Sequence, residues 1–99
     1  MAQTQSDTIT QTDVTYPNRY NVVLLNDDFT PMDFVIQLLI EVFNRNLEQA
    51  KDITMLIHEK GKGIAGTYNF ELAEQKKAEA VAISRNNGHP LTIMVEKID

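Results

Sequence analysis

A run of branched apolar residues, Val22-Val23-Leu24-Leu25, stops abruptly at the polar triplet Asn26-Asp27-Asp28. One residue later, Thr30-Pro31-Met32-Asp33 reads as a helix start. The first segment carries a short buried-strand signal. The triplet's side chains compete for backbone hydrogen bonds and favour a turn. Thr30 suits the N-cap, Pro31 the first helical position, and Asp33 can return a capping-box bond. A strand that passes at once into an amphipathic helix must share a core with it. A chain of 99 residues has room for one such core.

The rest of the chain is punctuated as sharply. Phe34, Val35, Leu38, Leu39, Val42 and Phe43 fall on one helical stripe that ends near Asn44. Asn46, with Gln49 three residues on, caps a second helix. Leu47, Ala50, Ile53 and Ile57 supply its inner face, and it ends near Lys60-Gly61. With almost no linker between them, the two helices form a tight pair. Gly61, Gly63 and Gly66 then bracket a short strand from Ile64 to Tyr68. Asn69 caps a third helix from Phe70 to about Ser84. Ala73, Ala80 and Ile83 turn partly inward, while Glu71, Glu74, Lys76, Lys77 and Glu79 mark the wet side. Asn86-Asn87-Gly88-His89-Pro90 stops this helix, and Leu91, Ile93 and Val95 alternate with polar neighbours as a half-buried strand. The order is β-α-α-β-α-β. It predicts an α+β fold, a three-stranded, mainly antiparallel sheet packed against three helices.

Residues 1–18 are rich in Thr, Gln and Asp and read as a flexible extension ahead of a single domain over 19–99. Either a passive leader or a tether fits that composition. The net charge of -5 supplies no basic field for nucleic acid. The absence of cysteine excludes disulfides and thiolate metal sites. No apolar run is long enough for a membrane span, and no secretory signal is expected.

Chemistry of its own is hard to place in this chain. A hydrolase needs a nucleophile, a base and an oxyanion site, and nothing sets His58 or His89 in such a triad. Asp27 and Asp28 are too few ligands for a metal ion, so no metal or other cofactor is expected. The glycine-rich segment lacks the Lys-Ser/Thr ending of a phosphate loop. Taken alone, Asp27 and Asp28 are solvent-facing turn acids or a site for a cation, and His58 is a surface or structural histidine. Their neighbours favour recognition. A polar turn between a buried strand and an apolar helix, beside a second helix ending in His58, sets polar groups at the mouth of an apolar pocket.

The stretch Asn26-Asp27-Asp28-Phe29-Thr30-Pro31-Met32-Asp33-Phe34-Val35 resembles the signature of ClpS, the adaptor of bacterial and plastid Clp proteases. The likeness continues through His58, Gly61 to Gly66, Glu71 to Lys76 and His89-Pro90-Leu91, and covers about Tyr20 to Lys97. It implies a non-enzymatic adaptor in the bacterial cytoplasm or a plastid. Such an adaptor holds substrates whose first residue is Phe, Leu, Tyr or Trp and docks on the N-terminal domain of the unfoldase ClpA or ClpC. By position, Asn26, Asp27 and His58 correspond to the residues that hold the substrate's α-amino group and first peptide unit. Thr30, Met32, Val35, Thr54, Ile57 and Leu91 correspond to the side-chain pocket, and Glu71 and Lys76 to the unfoldase-docking surface. Many bacterial members carry Met where this chain has Thr54, which reshapes the pocket and bears on the preference among the four residues. In the family the N-terminal extension is thought to enter the unfoldase channel. A different reading is a surface-docking module with a fold like that of the ribosomal stalk protein's C-terminal domain, without an N-terminal-residue pocket. Fold likeness does not decide between the two.

Overall fold

The computed structural model describes residues 19–98. It contains, in order, β1 (Arg19–Leu25), α1 (Met32–Glu41), α2 (Leu47–Lys60), β2 (Lys62–Asn69), α3 (Phe70–Asn86) and β3 (Thr92–Ile98). The predicted α+β class and element order both hold. The sheet is ordered β2-β1-β3, with β1 central and antiparallel to both neighbours.

One face of the sheet carries the core. Val22 and Leu24 of β1 pack with Val35, Leu38, Leu39, Val42 and Phe43 from the α1 region, Ala50 and Ile57 of α2, Ala73 and Ala80 of α3, and Leu91 and Ile93. The small residues of α3 let that helix lie close to the sheet. Gly63 does the same for α2, because a Cβ there would stand 2.8 Å from Ile57 Cγ1. A bulge between Val22 and Val23 leaves Ala65 out of the β1–β2 register. Arg45 Nε donates to the Ala65 carbonyl at 2.8 Å, which supplies the partner the ladder does not.

Val23 points to the opposite face, where its register partners are Ile64 and Met94. It is nonetheless only 1% exposed. Lys62 lies across from Leu25, and Glu96 across from Asn21. Their side chains therefore reach diagonally over Val23 and meet at 3.8 Å. Both are well solvated, so the ion pair contributes at most about 1 kcal/mol. Its main effect is to shield Val23 beneath the two aliphatic stems.

The helix caps divide into those that formed as expected and one that did not. The capping box of α2 is complete, with Gln49 N donating to Asn46 Oδ1 at 2.8 Å and Asn46 N to Gln49 Oε1 at 3.1 Å. Asn69 caps α3 through Leu72 N at 2.9 Å, and Gly61 closes α2 at φ 94°. Thr30, by contrast, does not cap α1. Pro31 occupies the N-cap position without a side-chain bond, because the Thr30 hydroxyl is drawn back to Asp27. Helix α1 also ends at Glu41 rather than near Asn44. Asn44 takes φ 58°, which reverses the chain and lets Arg45 N reach the Leu39 carbonyl at 3.1 Å. Leu47, expected on the inner face of α2, is 55% exposed because the first helical position precedes the buried stripe. Strand β2 is longer than Ile64 to Tyr68, and α3 runs on to Asn86. Lys76 and Lys77 are half-buried and not on the wet side. The expected flexible extension over 1–18 lies outside the described residues.

Candidate functional site

The polar end of the site is one turn. The Asn26 N–H donates to the Gly61 carbonyl at 2.9 Å, which ties the end of β1 to the end of α2. Asp27 then organises the next three residues. Its Oδ1 accepts from Phe29 N and Thr30 N, both at 2.7 Å, and its Oδ2 accepts from Thr30 Oγ1 at 2.7 Å. A carboxylate offers about four acceptor positions. Three are taken inside the turn, and the remaining one is on Oδ2. Burial opposes the charged form of Asp27. The Thr30 hydroxyl, the two N–H donors and the nearby His89 outweigh it and hold the carboxyl below its ordinary 3.8. The turn therefore presents a fixed anion.

Beside this anion the chain forms a small pit lined by Leu25, Asn26, Asp27, Thr30, Met32, Val35, Thr54, Ile57, His58 and Leu91. Its lining includes all nine residues for which the family resemblance implied amine-binding and side-chain positions. Leu25 is the one that was missed. Its place as the last apolar residue before Asn26 was the available signal. The pit itself is shallow, with room for about 20 Å³, on the order of one water molecule, and it opens onto solvent, so a large side chain enters only as the rim moves aside. Thr54 is 3% exposed, and its hydroxyl donates to the Ala50 carbonyl at 2.7 Å. The Thr30 hydroxyl is committed to Asp27, so neither hydroxyl proton is offered to the pit. Met32, 40% exposed, opens α1 at the rim, and His58 stands exposed in the last turn of α2. Two broader hollows lie elsewhere, one over Val23 on the outer sheet face, bordered by the solvated Lys62–Glu96 pair, and one along Ala78 and Ala82 of α3.

The fourth wall comes from the segment between α3 and β3. His89 packs its ring against Phe34 with centroids 4.5 Å apart. Leu91, 1% exposed, lines the pit. Arg85 Nη1 donates to the His89 carbonyl and to the Leu91 carbonyl, each at 2.9 Å. Sequence reasoning gave no role to Arg85, since nothing in its neighbours' pattern indicates that it reaches back over its own helix end.

Glu71 and Lys76 lie on α3 and take no part in lining the pit. Glu71 is exposed. Lys76 is half-buried, and its Nζ donates to the Val42 carbonyl at the end of α1, 2.8 Å away. It therefore ties two helices together whatever else it does. Among the described residues, no group of three His, Cys, Asp or Glu side chains could hold a metal ion. Among the same residues, no helix is long and apolar enough to cross a membrane.

Residues 15–94 match the family described as "ATP-dependent Clp protease adaptor protein ClpS". The ATP-dependent Clp protease adapter protein ClpS of Xanthomonas oryzae pv. oryzae is 49% identical over 85 residues, which span 86% of this chain and 80% of that protein. Its counterpart in Neisseria meningitidis serogroup B is 43% identical over 98 residues, 98% of each chain. Among solved structures, Agrobacterium tumefaciens ClpS2 bound to L-phenylalaninamide superposes with a TM-score of 0.79. It is 33% identical and covers 83% of this chain and 99% of that one.

Proposed function

The chain belongs to the ClpS family of Clp protease adaptors, and on that premise we propose that it captures substrate proteins by a free N-terminal Phe, Leu, Tyr or Trp and delivers them to ClpA or ClpC for ATP-dependent proteolysis. As a family member it is an adaptor and not an enzyme. One observation carries the reading furthest. A fixed carboxylate with one acceptor position left stands at the mouth of a pit floored by apolar side chains from β1, α1, α2 and Leu91. That the related ClpS2 binds L-phenylalaninamide, a free amine next to an aromatic side chain, supports it.

The chemistry follows from the donor count. An α-ammonium has three N–H donors and no acceptor, as a lysine ammonium does. In this reading Asp27 Oδ2 takes one in a charge-assisted bond, and the Asn26 side-chain oxygen and a ring nitrogen of His58 take the others. The Asn26 amide is left to donate to the first peptide carbonyl. Thr30, Met32, Val35, Thr54, Ile57 and Leu91, together with Leu25, enclose the side chain. Burying a Phe or Leu there stabilises the complex by about 1.5–3 kcal/mol. That is too little for capture alone, so both parts must engage together. An internal Phe has no ammonium to offer and is rejected.

Delivery uses another surface. Glu71 and Lys76 on α3 dock the N-terminal domain of the unfoldase, and residues 1–18 act in the handover. The setting is the bacterial cytoplasm, with a plastid as the other home of Clp proteases.

Calorimetry with a Phe-initiated peptide and its N-acetylated copy tests the reading. The free peptide binds, with NMR shifts centred on Asp27 and Leu91, and the acetylated one does not. Equal binding of the two, or none by either, would leave a surface-docking module as the better account.

A further inference from the structure

The pit is only as well defined as its least supported wall. Leu25 belongs to the central strand, Met32 and Val35 to α1, and Thr54 and Ile57 to α2. Leu91 belongs to no element. It follows Pro90, which has no N–H to give, and it precedes the first residue of β3. The N–H of His89 returns to the Ser84 carbonyl at 2.9 Å, and this bond fixes where the segment leaves α3. Past that point the carbonyls of His89 and Leu91 both turn to one nitrogen of Arg85.

We infer that Arg85 is a positioning residue for substrate capture: by clamping the His89 and Leu91 carbonyls it sets the Leu91 wall of the pit and seats the His89 ring against Phe34. This rests on the pit being the N-terminal-residue site. Arg85 is an exposed side chain in the last turn of α3. A cation there is favoured by the helix dipole, which alone would give it a purely local role. The geometry goes further. Its two bonds skip the helix's own last carbonyls and close on residues that lie beyond the helix. The fork of a guanidinium can serve two acceptors in fixed directions, whereas an ammonium is a point charge on a flexible stem. Phe34 extends the effect. It is half-buried against the core and lies next to Val35, so the His89 ring braces α1 beside one lining residue of the pit while Leu91 supplies another.

Two kinds of role can be told apart. If Arg85 only stabilises the end of α3, its loss lowers the unfolding temperature, but a protein that is still fully folded at 25 °C binds as before. If it positions the wall, affinity falls in the folded protein. The experiment compares wild type, Arg85→Gln and Arg85→Lys by calorimetry with a Phe-initiated peptide. Methyl spectra of Leu91 and ring spectra of Phe34 are recorded without peptide. Affinity is expected to fall at least about fivefold in Arg85→Gln, the scale of one ordinary lost hydrogen bond. Leu91 and Phe34 signals should shift in both variants, with Arg85→Lys recovering part of the affinity. Wild-type affinity in Arg85→Gln, or unmoved Leu91 signals, overturns the proposal while the pocket reading stands. If wild type itself does not bind, the pocket reading fails and takes the proposal with it. Should Arg85→Gln fail to fold, Arg85→Lys alone decides, by whether its affinity drops together with the Leu91 shift.

Discussion

The Thr30 hydroxyl donates to Asp27 Oδ2 at 2.7 Å, so the residue placed to cap α1 serves the carboxylate instead. On the proposed reading Asp27 has two duties as a result, holding its turn and offering its last acceptor position to a substrate's ammonium. Substitutions separate them. Asp27→Ala removes both and should weaken binding of a Phe-initiated peptide by about 2 kcal/mol or more, as when one partner of a buried charge pair is truncated. Thr30→Val keeps the charge, frees a lone pair on Oδ2 and loosens the turn, and its loss should be clearly smaller. Calorimetry on both variants checks the ranking. Equal losses would mean that turn geometry and not charge controls capture.

Acid stability follows from the same carboxylate. Its hydrogen bonds hold Asp27 below its ordinary 3.8 in the folded protein. A depressed carboxyl contributes stability that is fully present above its unfolded value and is lost as pH falls through the folded one. Denaturant melts of wild type and Asp27→Asn should therefore differ most at neutral pH and converge below 3.8. A gap that stays constant down to the acid limit would show that Asp27 titrates normally.

Gly63 offers a test of packing. An added Cβ would meet Ile57 Cγ1 at 2.8 Å and both Ile53 Cγ2 and the Ile53 carbonyl at 3.3 Å. Gly63→Ala should cost about 1–3 kcal/mol, in the range of overpacked cores. A thermal melt reads this as a fall of roughly 4–8 °C per kcal/mol. Because Ile57 also lines the pit, peptide affinity should drop as well. An unchanged melting temperature would mean that α2 lies farther from β2 than described.

The α3 face separates docking from stability. Glu71→Lys should weaken a pull-down of the unfoldase's N-terminal domain and leave peptide affinity and the melting temperature alone. Lys76→Met should weaken the pull-down too. It should also destabilise the fold by about 1 kcal/mol, because the Val42 carbonyl loses its charged donor. A Lys76→Met variant with wild-type stability would show that this bond is not formed in solution.

Most of the fold was legible because its punctuation is local. Asn46 with Gln49, Asn69 and Gly61 each act within one helical turn, and a one-dimensional pattern can show them. The end of α1 was harder to see, since Val42 and Phe43 keep the helical period while Asn44 reverses the chain. The pit was foreseen as a set of residues through the family resemblance, and its internal wiring was not. That Thr30 bonds Asp27, that Thr54 bonds Ala50 and that Arg85 reaches Leu91 are choices among competing partners. Only the folded geometry decides them.

Thr54 shows how that wiring sharpens an expectation. With its hydroxyl proton spent on the Ala50 carbonyl, it cannot donate to a bound Tyr, and beside its shape it has only the oxygen's acceptor lone pairs to offer. Thr54→Met adds side-chain volume and so takes room from the pit. The affinity ratio of Leu to Trp should rise, within the roughly 1–3 kcal/mol that size discrimination in apolar pockets allows. Calorimetry with peptides starting in Leu, Phe, Tyr and Trp measures it, and a flat or falling ratio would remove Thr54 as the size filter.

The pit draws its walls from the end of β1, the start of α1, the last turns of α2 and the residue ahead of β3. No contiguous stretch of chain contains it, so it exists only while the whole fold does. A ligand that binds the native state and not the unfolded one shifts the folding equilibrium by RT ln(1 + [L]/Kd), about 2.7 kcal/mol at a hundredfold excess over Kd. Cargo thus acts as a folding ligand for its carrier. A protein that works beside an unfoldase is hardest to unravel when it is loaded, and becomes an easier target once the cargo has left.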